Sequence, residues 1–360
     1  MGADIFCRVV DNFGDIGVCW RLARRLAQGY GWRVRLWVDD LASFGRLAPE
    51  VAAGARMLDG VEIVMWTAPA PARLPLDVVI EAFACDPPPA YRAALTPGHR
   101  WLNLEYLTAE DWAEGCHGMP SPQGNGVVKT FFFPGFTSRT GGLLREPGLL
   151  AERDALQADP SAREAFLARI GIDPATSASI ARGDTDLYPV FCYPDAPVAH
   201  WRQVIAAGPR PAVIALLGGS APGVQPGTGH VTTLRLPFLP HADFDRLLWC
   251  GTVNGVRGED SFVRAQWAAR PLLWHIYPQE DAAHLDKLNA WLDRLAPPEP
   301  VRALHAAWNQ SDATALAAAW QAATGAAWAP WVATMQHWSG HLSTDIPELA
   351  AAIVDSHKAG

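Results

Sequence analysis

No stretch of this sequence approaches the roughly 20 apolar residues that a bilayer-spanning helix needs, so a membrane span is not expected. The start, Met1-Gly2-Ala3-Asp4, has neither the basic lead nor the apolar core of a secretion signal. It is no myristoylation signal either, because Phe6 stands where that motif wants Ser or Thr. Positive charge is in short supply: 29 Lys and Arg face 37 Asp and Glu, a formal net charge of −8. An acidic surface argues against a general nucleic-acid or anionic-membrane binder. Cysteine is sparse and never paired at metal or redox spacing. Cys7, Cys19, Cys85, Cys116, Cys192 and Cys250 include no C-x-x-C pair and mostly lie in apolar runs. That predicts buried reduced thiols in a cytoplasmic protein, with no structural zinc site.

What is present is a chain of 360 residues, 49% apolar and 18% charged, the balance of a soluble protein with large cores and, at this length, two domains. From Asp4 to Trp101 strands alternate with short helices. Ile5 to Val10, Arg33 to Val38, Val61 to Trp66 and Asp77 to Ala82 read as strands, Ala90 to Leu95 as a short helix, and Trp101 to Tyr106 as a further strand ending in an acid and an aromatic. Such alternation predicts a parallel sheet covered on both faces. Between Gly115 and Arg145 the character changes. His117 to Pro122 reads as loop, Thr130 to Phe136 as an aromatic strand filling the core, and Thr140-Gly141-Gly142-Leu143 as a flexible turn. Leu149 to Ile170 reads as helix and the run to Asp186 as linker. A second alternating array follows, with strands at Leu187 to Tyr193, Ala212 to Leu217, Val231 to Leu236 and Leu272 to Tyr277. From Val301 the chain reads as helical, with breaks near Gly325, Gly340 and Pro347. The last helix, Pro347 to His357, is expected to cross back onto the first domain.

Two constellations carry chemistry. In Val9-Val10-Asp11-Asn12-Phe13-Gly14-Asp15-Ile16-Gly17 a strand meets a tight turn and then a helix whose Ile16, Cys19, Trp20, Ala23 and Leu26 share one face. Gly14 and Gly17 permit close backbone approach, and Asp11 and Asp15 stand at the mouth of the turn. Acids here suit a cationic or proton-bearing acceptor and do not suit a dinucleotide's pyrophosphate. The second constellation is Asn254-Gly255-Val256-Arg257-Gly258-Glu259-Asp260-Ser261, a loop running into a helix after a strand-like Leu248 to Val253. Free N–H groups and the positive end of the helix dipole favour a phosphate there, and Arg257 adds a charged contact. Phe191, Tyr193, Phe238 and Phe244 lie at strand ends or just beyond, as candidates to stack a base. His275 and Tyr277 end a strand at the same rim; His275 reads as a buried histidine and not as a base. Gly218-Gly219-Ser220 reads as a plain tight turn.

These stretches together resemble the EarP family, the arginine rhamnosyltransferases that modify bacterial translation elongation factor P. The similar segments are V-V-D-N-F-G-D-I-G-V-C-W-R-L-A-R, L-N-L-E-Y-L-T-A-E-D-W, F-F-F-P-G-F, T-G-G-L-L-R-E, V-F-C-Y-P, L-P-F-L-P, N-G-V-R-G-E-D-S-F-V-R-A-Q-W and W-H-I-Y-P-Q-E-D. They run in consistent order from residue 7 to about residue 295, and the tail from Val301 carries little of the likeness.

The resemblance implies an α/β GT-B architecture, two facing Rossmann-like domains with an interdomain cleft. Residues 1–150, joined by the helix 347–360, would bind the acceptor; 151–186 would be linker; 187–346 would bind the nucleotide sugar. It further implies inverting transfer of L-rhamnose from dTDP-β-L-rhamnose to an arginine of elongation factor P, with no metal, no cofactor beyond the donor, no nucleic acid and no membrane. Asp11 and Asp15 match the catalytic aspartates and Glu259 the essential glutamate. Arg257, Asp260 and Ser261 fall where the diphosphate and nucleotide are held, and Phe191, Tyr193 and Phe238 where the base packs; Asn12, Gly14, Phe244 and Tyr277 complete the candidate contacts. One departure is His241, which follows L-P-F-L-P where the family commonly has Gln. A transferase with another sugar or acceptor, or a non-catalytic nucleotide-binding partner of translation, are the alternative readings.

Overall fold

The computed structural model describes residues 1–10, 13–67, 70–124, 126–224, 229–278 and 283–358. The chain divides into two compact units: Met1–Pro147 with Leu342–Gly360, and Gly148–His341. In the first, β1 (Gly2–Cys7), α1 (Gly14–Tyr30), β2 (Arg33–Val38), α2 (Leu41–Leu47), α3 (Pro49–Ala52), β3 (Met57–Leu58) and β4 (Val61–Met65) come in order. Then follow β5 (Val78–Ala82), α4 (Pro89–Ala93), β6 (Arg100–Leu104), α5 (Trp112–Cys116), β7 (Pro120–Pro122) and β8 (Val128–Phe132). Among the described residues these strands form one eight-stranded sheet, ordered β3-β4-β2-β1-β5-β6-β8-β7. Only β3 and β7, at its edges, run antiparallel to their neighbours.

The central strands are continuous apolar runs because both faces are covered; β1 and β5 are buried throughout. Phe6 stacks on Trp37 with centroids 4.9 Å apart and takes Trp66 and Tyr91 edge-on. Helix α1 buries Ile16, Cys19, Trp20, Ala23 and Leu26 on one side. It stops at Gly31, whose φ of 66° suits the left-handed cap and whose N–H donates to the Ala27 carbonyl.

Strand β1 ends at Cys7, three residues earlier than the apolar run suggests. The cause is a competition for backbone donors. The Val9 N–H goes to Asp39 Oδ1 at 2.9 Å and the Val10 N–H to Asp15 Oδ2 at 2.8 Å, so neither is left for a strand ladder. The aromatic segment 130–136 is core: Phe132, Phe133 and Phe136 are buried, with Trp112 edge-on to Phe133. The Gly141-Gly142 turn is a docking point. At φ 73°, Gly142 lies so close to Pro347 that a Cβ would sit 1.9 Å from its carbonyl oxygen. Leu143 N–H donates to that oxygen, and Leu349 N–H returns a bond to the Leu143 carbonyl.

The second unit begins with α6 (Leu149–Ala158), α7 (Pro160–Arg169) and α8 (Pro174–Arg182). The stretch read as one helix and a linker is thus three helices, interrupted at Asp159-Pro160 and Asp173-Pro174. At both breaks the aspartate accepts N–H groups of the helix that follows, as an N-cap does. Then come β9 (Asp186–Val190), α9 (Val198–Ala206), β10 (Ala212–Leu216), β11 (Val231–Arg235), α10 (His241–Cys250) and β12 (Asn254–Arg257). They are followed by α11 (Asp260–Trp267), β13 (Leu272–His275), α12 (Ala283–Leu295), α13 (Glu299–Gln310), α14 (Ala313–Thr324) and α15 (Trp328–Asp345). α16 (Leu349–Lys358) closes the chain within the first unit. The strands form an all-parallel sheet, β11-β10-β9-β12-β13. Residues 248–250 finish α10, because Leu247, Leu248 and Trp249 all bury as a helical face; the strand starts at Asn254. Gly340 does not break α15, whereas Ser311, at φ 54°, ends α13. No described helix is long and apolar enough to cross a membrane.

Candidate active site

In a doubly wound sheet, ligands settle beyond the carboxyl ends of the strands, where the winding reverses direction. In the first unit the chain winds from β1 through β2 to β4, then restarts at β5 on the other side, so that point lies between β1 and β5. The loop after β1 carries the first constellation. Asp11 and Asn12 lie outside the described residues. Gly14 is the first residue of α1, and Gly17 is already inside that helix, its N–H bonded to the Phe13 carbonyl at 2.9 Å. Asp15 occupies the first helical turn, where the helix dipole favours a negative charge. It is only 2% exposed, and Oδ2 accepts the Val10 N–H. One of its tasks is therefore to tie Val10 to the first turn of α1. Beneath it, burial pushes the thiols of Cys7 and Cys19 up from their ordinary range.

Farther along the same edge, β6 runs into Glu105 and Tyr106. Tyr106 is 41% exposed and stacks on Phe83 at 4.4 Å. Burial, then the neighbouring Glu81, raises the Glu105 carboxyl, while Lys129 opposes the rise.

In the second unit the winding runs β9, β10, β11 and restarts at β12 beside β9. Phe191 and Tyr193 follow β9, Arg257 ends β12 and Gly258 to Ser261 follow it, so both groups meet at the reversal. Arg257 is buried between two rings, its guanidinium carbon 4.7 Å from the Phe191 centroid and 4.6 Å from that of Tyr193. The sequence reading treats those rings as platforms for a base; here they also clamp the arginine.

Phe191 is held from behind. Phe244 is buried and edge-on to it at 5.5 Å, so it supports Phe191 and offers little face of its own. Phe238 stands edge-on at 6.1 Å. The 218–220 turn serves this packing: Gly218, at φ 57°, leaves room for Phe191, and a Cβ would lie 2.5 Å from its ring. Ser220 Oγ accepts the Cys192 N–H at 2.9 Å, which ties the turn to the β9 end. Tyr193 takes Tyr277, half exposed, and His275 edge-on. Burial drives His275 well below the ordinary imidazole range, so it is neutral near pH 7. His241 opens α10 and is buried.

The run 254–257 is strand and not loop, and the turn is Gly258, at φ 55°. Glu259 is the N-cap of α11 yet makes no side-chain capping bond, so no side chain at that position covers the first amides of the helix. Ser261 is buried and bonded to the Arg257 backbone, with its Oγ accepting the Arg257 N–H at 3.2 Å. Its hydroxyl thus fixes the turn. Asp260, half-buried, is the first helical residue. The helix itself is fixed on several sides. Phe262 stacks on Trp274 at 3.7 Å, Arg264 forms a buried two-bond pair with Asp245, and Gln266 accepts from Trp291 and Trp338.

Lys287 is the charged neighbour that sequence reasoning misses. Its Nζ donates to Glu259 Oε1 at 2.8 Å, from a helix 28 residues downstream whose pattern is that of any amphipathic helix. Among the described residues no group of three or more His, Cys, Asp or Glu is arranged to hold a metal ion.

Two doubly wound units with their reversal points so furnished define a GT-B glycosyltransferase, and solved structures agree. UGT2 of Phytolacca americana, in complex with UDP-2-fluoro-glucose and pterostilbene, superposes with a TM-score of 0.55 at 10% identity over 99% of both chains, a likeness of fold alone. A structure describing EarP-mediated arginine glycosylation of translation elongation factor EF-P superposes with a TM-score of 0.67 at 32% identity, covering 100% of this chain and 99% of that one. The protein-arginine rhamnosyltransferase of Pseudomonas putida is 43% identical over 99% of this chain and 98% of its own. Residues 3–357 match the family described as Elongation-Factor P (EF-P) rhamnosyltransferase EarP. The chain belongs to the EarP family.

Proposed function

We propose that this enzyme transfers L-rhamnose from dTDP-β-L-rhamnose to an arginine side chain of translation elongation factor P, inverting the anomeric carbon and using no metal. The observation that carries the donor half is the Arg257 guanidinium, clamped by Phe191 and Tyr193 beside a helix tip without a side-chain cap. As the bond to the sugar breaks, negative charge grows on the departing diphosphate. A fixed guanidinium and aligned amides stabilise that charge without reorganising. Phe191 and Phe238, at the same strand ends, give the base an apolar surface.

On the acceptor side, a guanidinium has a pKa above about 12 and is a poor nucleophile while its charge is delocalised. Carboxylates bind the cation, turn one nitrogen toward the sugar and take its proton as the new C–N bond forms. We assign Asp15 as the base and Asp11 as its orienting partner, and leave Glu259 to position sugar or guanidinium. The fixed orientation of Asp15, with Oδ2 on the Val10 N–H, supports a preorganised carboxylate.

Intact-mass analysis of elongation factor P after incubation with enzyme and dTDP-rhamnose tests the reading. One deoxyhexose increment localised to an arginine is expected, and no increment at saturating donor overturns it. Because the cationic groups are supplied by protein, a chelator is expected to leave the rate unchanged; a magnesium requirement contradicts that part.

A further inference from the structure

The geometry points to Lys287 as a positioning residue for Glu259, one that sets the direction of its carboxylate and balances its charge at the diphosphate-binding tip. The inference rests on the transfer reading above. Glu259 and Asp260 place two carboxylates where the amides of α11 face an anion, an arrangement that by itself repels phosphate. A carboxylate at an N-cap ordinarily turns back onto its own helix; Glu259 makes no such bond, and Oε1 is held by Lys287 Nζ at 2.8 Å.

Both side chains are largely shielded, 19% exposed for Lys287 and 15% for Glu259, so water screens the pair less than it screens a surface pair. The lysine stands on a fixed platform. Leu288, Trp291, Leu292 and Leu295 bury α12, and Trp291 reaches α11 through Gln266 Oε1 at 3.1 Å and packs edge-on against Phe262. With Arg257, Lys287 offsets the two acids; without it the tip is more negative by one charge and Glu259 Oε1 loses the bond from Nζ.

The test is a double-mutant cycle read with dTDP itself and, separately, with transfer to elongation factor P. Lys287→Met, Lys287→Gln and Lys287→Arg are made in the wild type and in Glu259→Gln. The neutral variants are expected to weaken dTDP binding about tenfold and to slow transfer at saturating donor about tenfold or more, with Lys287→Arg retaining both within about threefold. In the Glu259→Gln background the neutral variants are expected to change dTDP affinity by less than about twofold. Equal losses in both backgrounds, or an arginine variant as poor as the methionine one, overturn the assignment. Lys287→Gln is one atom shorter but keeps a hydrogen-bond donor, so it reports on charge even where Lys287→Met lowers the unfolding midpoint. Wild-type enzyme that shows the dTDP coupling but never modifies the acceptor refutes the transfer reading alone.

Discussion

At the scale of single residues, the proposed acceptor chemistry turns on Asp15. Asparagine is nearly isosteric and can still accept the Val10 N–H, so Asp15→Asn removes charge and basicity while keeping the loop bond. A loss in turnover of about 10²–10⁴ is expected, measured as single-turnover transfer to elongation factor P. An Asn variant within about threefold of wild type leaves Asp15 with a structural task only. On the donor side, Gly218→Ala drives a methyl into Phe191 at a positive φ. It is expected to weaken dTDP binding while leaving the α11 tip in place, as titration against the variant would show. The candidates themselves were legible in the sequence, because R-G-E-D-S and V-F-C-Y-P are unusual strings at strand ends. What the strings hide is pairwise. That Arg257 lies between Phe191 and Tyr193, and that Lys287 holds Glu259, follows from which strands and helices become neighbours, and no local spacing encodes it.

At the scale of elements, the helix at the proposed donor site is held by a buried pair. Asp245 and Arg264 are 5% and 1% exposed at their side chains and share two hydrogen bonds between α10 and α11. Removing the acid takes two hydrogen bonds and the counter-charge from a buried guanidinium, so Asp245→Ala is expected to cost about 3–5 kcal/mol in chemical denaturation; a loss under about 1 kcal/mol would show that the arginine is satisfied without the acid. Apolar alternation revealed most of the strands and their parallel pairing but not β3, β7 or β12, and boundaries slipped where side chains captured backbone donors. Val9 and Val10 look like strand but give their N–H groups to Asp39 and Asp15, and 248–250 looks like strand but is the last turn of α10, with Leu248 and Trp249 buried. The Gly141-Gly142 turn reads as flexible, whereas Gly142 lies against Pro347; only the fold reveals that distant partner.

At the scale of the whole molecule, two buried histidines link stability to pH. Burial holds His275 below its ordinary range and takes His305 down to about 3. Each is neutral when folded and binds its proton first in the unfolded chain, so between about pH 6.5 and about pH 3 the unfolded state carries more protons. Their contribution is complete above about pH 6.5 and is lost as the pH falls. The unfolding midpoint is expected to drop on acidification, less steeply in His305→Phe; a midpoint that rises toward pH 5 contradicts this. In the proposed transfer the labour is divided, with acids of the first unit serving the acceptor and the Arg257 tip of the second serving the nucleotide. Calorimetric titration of dTDP into wild type, Arg257→Gln and Asp15→Asn tests it most directly. Arg257→Gln is expected to lose about 10- to 100-fold in affinity while Asp15→Asn binds like wild type. Nucleotide binding that survives the loss of Arg257 and collapses with the loss of the Asp15 charge would contradict it.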